Sequence, residues 1–270
     1  MKQAVLILIV CLSGLLPVVQ GQETATTQAA SGKEPPAFLL GEWVRMGHSG
    51  PVGLRFSDDG QARVDLGMDG VFEVVSGYHT DGTTIRFNDL EGLECPGMGV
   101  YHMHQGEFYL ALDLVRDDCA GRIQTTMGYW IRPGFREYLP LLNERIARDS
   151  CPEDILGRGR IFLALGESER ARADLDIYLS MDGTNARALL NRAATRFPGD
   201  LEGAVGDCSR VIELEPENKN AWFLRGLALY ELGRQEEGCR DFSRAIDLGF
   251  SILKEAEYEK CRTYWHDNHQ

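Results

Sequence analysis

Two histidines, His102 and His104, alternate along an extended stretch and therefore face the same side of it. Imidazoles at that spacing could begin a metal site. No third histidine or carboxylate in a ligand spacing completes it, so no metal is expected. Asp58-Asp59 and Asp117-Asp118 look like carboxylate pairs suited to acid–base work. Each adjoins a turn signal, where Asp serves the backbone, and turn chemistry is the preferred reading. Cys151 has no histidine partner that the sequence identifies. Gly-x-Ser-x-Gly, His-Glu-x-x-His, Walker and dinucleotide patterns are absent. The chain therefore reads as a non-enzyme, with no catalytic residue and no cofactor. An active site in the mouth of an N-terminal β domain is the remaining enzymatic alternative.

The other chemistry-bearing residues are cysteines, and their meaning depends on compartment. Lys2, the uncharged apolar run Ala4 to Leu16, Pro17 and the small residues near Gly21 form a secretory signal pattern over residues 1–21. The run is too short for a membrane span, which needs about 20 apolar residues. Export to a periplasmic or secreted site is expected, without a membrane anchor. Residues 22–36, rich in Thr, Ala, Ser and Gln, read as a disordered linker. Beyond the signal lie Cys95, Cys119, Cys151, Cys208, Cys239 and Cys261, an even set that permits disulfides. Cys95 and Cys119 share one domain and are paired here; Cys239 with Cys261 is the second pairing. Cys151 and Cys208 are left open between pairing, remaining free and serving as small buried hydrophobes.

The formal net charge of −13 has no acidic block to it. Nucleic acid and anionic membrane surfaces reward basic patches, so neither is an expected partner.

Two kinds of element must position these residues. Over 37–133 the apolar period is two, in eight short runs beginning at Trp43, Val52, Ala62, Val71, Thr84, Val100, Phe108 and Met127. Asp59-Gly60, Asp69-Gly70, Asp81-Gly82 and Gln105-Gly106 separate several of them as turns. About eight antiparallel strands in a meander close most economically into a small β-barrel, with a two-sheet sandwich as the alternative. Residues 134–150 carry Tyr138, Leu139, Leu141, Leu142 and Ile146 at helical spacing and form a connecting helix.

From 151 to 251 the period changes again. Arg158-Gly159, Arg192-Ala193 and Arg225-Gly226 recur 34 and 33 residues apart. Each is followed by Gly166, Gly199 or Gly233, then by a small residue (Ala171, Ala204, Gly238) and a bulkier one (Leu175, Cys208, Phe242). A period near 34 is that of stacked helix–turn–helix units. Small residues at fixed places let paired helices approach closely. The second unit is one residue short, with Pro198 before its glycine, so its first helix should end early. Leu253 to Trp265, within 252–270, reads as a capping helix and tail.

Both halves resemble known families. Gly41-Glu-Trp43 on the first strand, with Arg122 and the pair Trp130/Arg132 near the end, resembles the lipocalin-like, calycin-type barrels. The run Asp117 to Arg122 is similar to small bacterial lipocalin-like domains. That resemblance implies an arginine packed over Trp43 to close one end of the barrel, with Gly41, Trp43, Arg122 and Arg132 as the closing residues. It also implies an interior that could carry a small apolar ligand. The repeats resemble tetratricopeptide repeats on Trp222, Gly226, Gly238, Phe242 and Ala245. The earlier units match at Ile155, Gly159, Ala171, Leu175 and Tyr178, and at Leu189, Ala193, Ala204, Cys208 and Val211. Pro216 stands where that family ends its second helix.

What the repeat resemblance implies is an α-helical solenoid with a groove lined by Leu156, Arg160 and Leu163, by Leu190, Ala194 and Phe197, and by Phe223, Leu227 and Tyr230. This mostly apolar set suits a protein or peptide partner. Packing against the barrel or the connecting helix is the alternative use of the same residues. Family members that clamp a carboxylate use lysine and asparagine where this chain has Leu156 with Arg160 and Leu190 with Ala194, so that mode is not expected. The fold class is multidomain α and β, a small antiparallel barrel followed by a helical solenoid.

Overall fold

The computed structural model describes residues 35–47, 49–92, 95, 97–250 and 261–262. The signal and most of the linker fall outside these residues. So does the capping helix, apart from Cys261 and Arg262.

Eight strands form a closed antiparallel barrel in simple chain order. They are β1 (Gly41–Gly47), β2 (Gly50–Phe56), β3 (Gln61–Leu66), β4 (Val74–Thr80), β5 (Thr84–Glu91), β6 (Gly99–Gln105), β7 (Tyr109–Arg116) and β8 (Gly128–Ile131). Closure comes from Val44 on β1 opposite Ile131 on β8. The barrel, not the sandwich, is realised because consecutive strands pair in chain order and β8 returns to β1, so no edge is left unpaired.

Alternation sorts the side chains. Val52, Leu54 and Phe56 of β2 point inward, as do Leu110, Leu112 and Leu114 of β7, each at most 8% exposed. Aromatic rings fill the middle: Phe56 lies edge-on to Tyr78 at 5.0 Å, and Phe87 edge-on to Tyr101 at 5.7 Å. The interior is thus occupied by the barrel's own side chains.

One strand starts later than its sequence implies. The run at Val71 reads as strand, yet β4 begins at Val74 and Val71 is exposed. The Asp65 carboxylate accepts the N–H groups of Asp69 and Gly70, and Asp69 accepts that of Val71. These local bonds compete successfully with the ladder. A short helix the sequence did not announce, α1 (Ala120–Thr126), intervenes between β7 and β8. Cys119 caps it, accepting the N–H of Arg122 at 3.4 Å.

The connecting helix α2 (Phe135–Asp149) leads into three helix pairs: α3 (Pro152–Ala164) with α4 (Ser168–Met181), α5 (Ala186–Arg196) with α6 (Leu201–Leu214), and α7 (Lys219–Glu231) with α8 (Gln235–Asp247). Asn185 and Asn218 cap α5 and α7 by accepting the N–H groups of Ala188 and Ala221. In the third pair Gly226 is required by close approach, since a Cβ there would meet the Phe242 ring at 2.8 Å. The shortened second unit behaves as expected: α5 has 11 residues where α3 and α7 have 13. Phe197 is extended, as a residue before proline prefers, and ends the helix.

Barrel and stack share a core. Ile131 points out of the barrel yet is wholly buried, packed with Leu142 of α2 and with Ile161 and Ala164 of α3. Disulfides join Cys95 to Cys119 and Cys239 to Cys261, each with Cα atoms 5.5 Å apart. Cys208 is free and buried; burial pushes its thiol up to about 12, so it acts as a small hydrophobe.

Candidate functional site

Three clusters gather the polar and aromatic residues of interest. The first closes the barrel. The Arg132 guanidinium lies 3.8 Å above the Trp43 ring and donates to the carbonyls of Leu40 and Glu42. A similar stack sets Arg45 over Trp130 at 4.6 Å. Of the two arginines expected near Trp43, Arg132 covers it.

Arg122 goes elsewhere, and with it Asp117. Both are essentially buried, at 1% and 0% exposure. Arg122 donates through Nε and Nη2 to the two oxygens of Asp117 at 2.7 and 2.8 Å, and its Nη1 lies 3.1 Å from Asp89. Tyr101 donates its hydroxyl to Asp117 at 2.6 Å, and Ser76 donates to Asp89 at 2.8 Å. Burial pushes the Asp117 carboxyl up, but the bonds from Arg122, Tyr101 and the Cys119 N–H outweigh it and hold the group below the usual carboxylate range. Asp117 therefore does more than turn chemistry, although it also accepts the Cys119 N–H. The sequence reading missed this because Asp89 and Arg122 are far apart in the chain.

Gly99 makes room for the cluster, since a Cβ there would stand 2.1 Å from Asp117 Oδ2. Gly99→Ala should cost about 1–3 kcal/mol as an overpacking change, read as a lower urea midpoint. An unchanged midpoint would mean the pair is not fixed as described. Asp89, Cys95 and Cys119 also come together in space, but the two cysteines are bonded to one another and offer no thiolate.

His102 and His104 lie exposed on the outer face of β6, as their alternation requires. His104 Nε2 is 3.3 Å from Asp113. Burial and then Arg187 push this imidazole down, against the pull of Asp113.

The third cluster is the candidate site. Between α1 and β8 on one side and the inner helices α3, α5 and α7 on the other lies a cleft of about 630 Å³. Met46, Ile123 and Met127 form its barrel wall. Leu163, Leu190, Ala194 and Phe223, four of the nine expected groove residues, form the helical wall, with Phe250 stacked on Phe223 at 4.3 Å. Of the other five, Leu156 is buried within the stack and Phe197 packs around Cys208. Leu227 and Tyr230 pack around the Cys239–Cys261 bond. Arg160 reaches over to the barrel, donating to the Tyr109 hydroxyl.

Both alternatives for the inner helices are thus realised, in different places. The barrel covers the groove of the first pair and part of the second. Arg187 donates to Tyr129 at 2.9 Å and to Asp113 at 2.7 Å, and Asn191 donates to Tyr129 at 2.7 Å. The cleft is the part that the described residues leave uncovered.

A repeated feature escaped the sequence reading. Arg158, Arg192 and Arg225 each grip an aspartate on the second helix of their pair: Asp174, Asp207 and Asp241. All three bonds are bidentate, with distances of 2.6 to 2.9 Å. The aspartates are at most 5% exposed. Their own spacing of 33 and 34 residues was the available signal.

Residues 199–249 match the tetratricopeptide repeat family. That match takes in α6, α7 and α8. A relative in Xenopus tropicalis, tetratricopeptide repeat protein 36, is 37% identical over 75 residues, which cover 26% of this chain and 37% of that protein. The chain thus spans just over a third of that relative's length. An uncharacterised protein of Methanocaldococcus jannaschii, MJ0572, is 39% identical over 62 residues, 23% of this chain and 67% of that one. Among solved structures, the first tetratricopeptide repeat of Spaghetti (RPAP3) bound to the HSP90 peptide SRMEEVD aligns at 20% identity. It covers 42% of this chain and 93% of that one, with a TM-score of 0.39. MamA aligns at 16% identity over 51% of this chain and 85% of that chain, with a TM-score of 0.43. The first helix of each of the three pairs contributes to the cleft lining, and no helix among the described residues is long and apolar enough to cross a membrane.

Proposed function

We propose that this chain is a non-enzymatic binding protein whose cleft between barrel and tetratricopeptide repeats holds a segment of a protein partner. The observation that carries it is the cleft itself: an apolar recess of about 630 Å³ that the described residues leave open where the barrel stops covering the inner helices. Recesses of this size, apolar with a few polar groups, are the usual shape of a binding site. The family relationship supports a peptide as occupant, since repeats of this kind expose inner helices to extended or helical segments.

The barrel interior is the weaker candidate for a small apolar ligand, because Tyr101, Ile85, Leu110 and Leu112 already fill it. A calycin-type origin for the barrel is supported by Arg132 over Trp43. Export to a periplasmic or secreted site is part of the proposal. Its support is the signal pattern of residues 1–21 together with two disulfides, which persist in oxidising compartments.

The test is selection of random 12-residue peptides displayed on phage against the full chain. Peptides should be recovered whose binding falls at least about tenfold in Phe223→Glu, because burying a Phe side chain contributes about 1.5–3 kcal/mol. Circular dichroism of the variant should match the parent. Recovery of nothing, or of peptides indifferent to Phe223→Glu and Leu190→Glu, would remove the proposal.

A further inference from the structure

His102 and His104 have a third neighbour, hidden from the sequence by the hairpin between β6 and β7. In the register of these strands Asp113 stands directly opposite His102. Residues paired this way project from one face of a sheet, as do residues two apart on a strand. All three side chains therefore emerge together on the outside of the barrel. The His104 and Asp113 side chains are 52% and 43% exposed, and His102 is exposed beside them.

Two imidazoles and a carboxylate form a ligand set for ions of the zinc class, which accept nitrogen and oxygen donors in a tetrahedron. Two donors each about 2.0–2.1 Å from a tetrahedral ion stand about 3.3–3.4 Å apart. His104 Nε2 and Asp113 Oδ2 are separated by 3.3 Å. Ligating carboxylates are themselves held by a hydrogen bond. Here Arg187 of α5 donates to Asp113 Oδ1 at 2.7 Å, which fixes the group and leaves Oδ2 for an ion.

Two features act against binding. The three ligand atoms are not gathered within 4.8 Å of one another as they stand. His102 must turn inward, and its exposed side chain makes no hydrogen bond or ion pair that would resist a change of rotamer. Arg187 and Arg160 also bring positive charge to His104, so the site should bind more weakly than a closed zinc site of thiolates.

We infer that His102, His104 and Asp113 form a surface site for a divalent ion of the zinc class, bridging β6 and β7 where Arg187 joins the barrel to α5. Three protein donors leave the fourth tetrahedral position to water. Magnesium and calcium, which take oxygen donors, are excluded by the two imidazoles.

The test is titration of the full chain with zinc chloride at about pH 7.5, above the ordinary imidazole value, followed by histidine side-chain nitrogen spectra. Of the six histidines, His102 and His104 should shift and saturate together. Zinc affinity should fall at least about tenfold in His102→Ala, His104→Ala and Asp113→Asn. Nickel should compete, and magnesium should not. Asp113→Asn also weakens the bond from Arg187, so His102→Ala is the cleaner variant, and circular dichroism should show its fold unchanged. Absence of a saturable zinc response would overturn the inference, as would zinc affinity unchanged in His102→Ala. Binding that needs both histidines but ignores Asp113→Asn, or that moves only His266 and His269, would overturn it likewise.

Discussion

Arg122→Met should lower the stability of the barrel by about 3–5 kcal/mol at neutral pH, the cost of leaving a buried charge without its partner. Asp117 and Asp89 would then face each other with only Tyr101, Ser76 and the Cys119 N–H to hold them. Hydrogen-exchange mass spectrometry on segments from β6 and β7 reads the loss directly, because those strands carry Tyr101 and lead to Asp117. The pH dependence has a definite sign. In the parent, Asp117 is held below its ordinary range, so its contribution is complete above that range and fades as the pH falls through the lowered value. In the variant, the buried Asp117 carboxyl without its cation prefers the protonated form, so acidification stabilises the variant relative to neutral pH. The deficit should therefore shrink between pH 7 and about pH 4. A deficit that stays constant or grows would show that the ion cluster is not the source.

The second large effect belongs to the repeats. Arg225→Leu removes both bonds to Asp241, whose side chain is 7% exposed, and should cost the third helix pair about 2–4 kcal/mol, somewhat less than a fully buried pair because Arg225 itself is 20% exposed. Arg192→Leu should cost less, since Arg196 remains 3.2 Å from Asp207. The double variant Arg225→Leu with Asp241→Leu should recover most of the loss, as apolar replacement of both partners removes the orphaned charge. Exchange protection of α7 and α8 across this cycle decides the matter. Equal losses in Arg225→Leu and Arg192→Leu would contradict the redundancy assigned to Asp207.

How far the sequence reaches can be argued from these same residues. The repeats were legible because Gly226, Ala193 and Gly159 recur at a fixed period, and such steric demands are local to one helix pair. All eight strands were legible from alternation, though Asp65 and Asp69 postponed β4 by bonds that a pattern of apolar residues does not register. The second residue of each Arg–Asp pair was not read, because an aspartate on a helix looks like a solvated face until its partner helix is placed. Arg122 and Arg132 could not be told apart in advance, since both stand near the barrel's close and only the path of α1 sends one inward. The cleft was half legible. Leu163, Leu190, Ala194 and Phe223 followed from repeat position, whereas Met46, Ile123 and Met127 come from the other half of the chain and depend on how Ile131 docks against α2 and α3.

The central claim is that a partner segment sits between these two walls, and methionine methyl groups report on it directly. Spectra of the full chain labelled at the methionine methyls, recorded with and without a peptide selected on it, place the contact. Met46 and Met127 line the cleft, Met103 lies inside the barrel, and Met68 and Met181 are exposed elsewhere. The account predicts that Met46 and Met127 shift on binding while Met68, Met103 and Met181 stay in place. Binding that moves Met68 or Met181 and leaves Met46 and Met127 unchanged would contradict it.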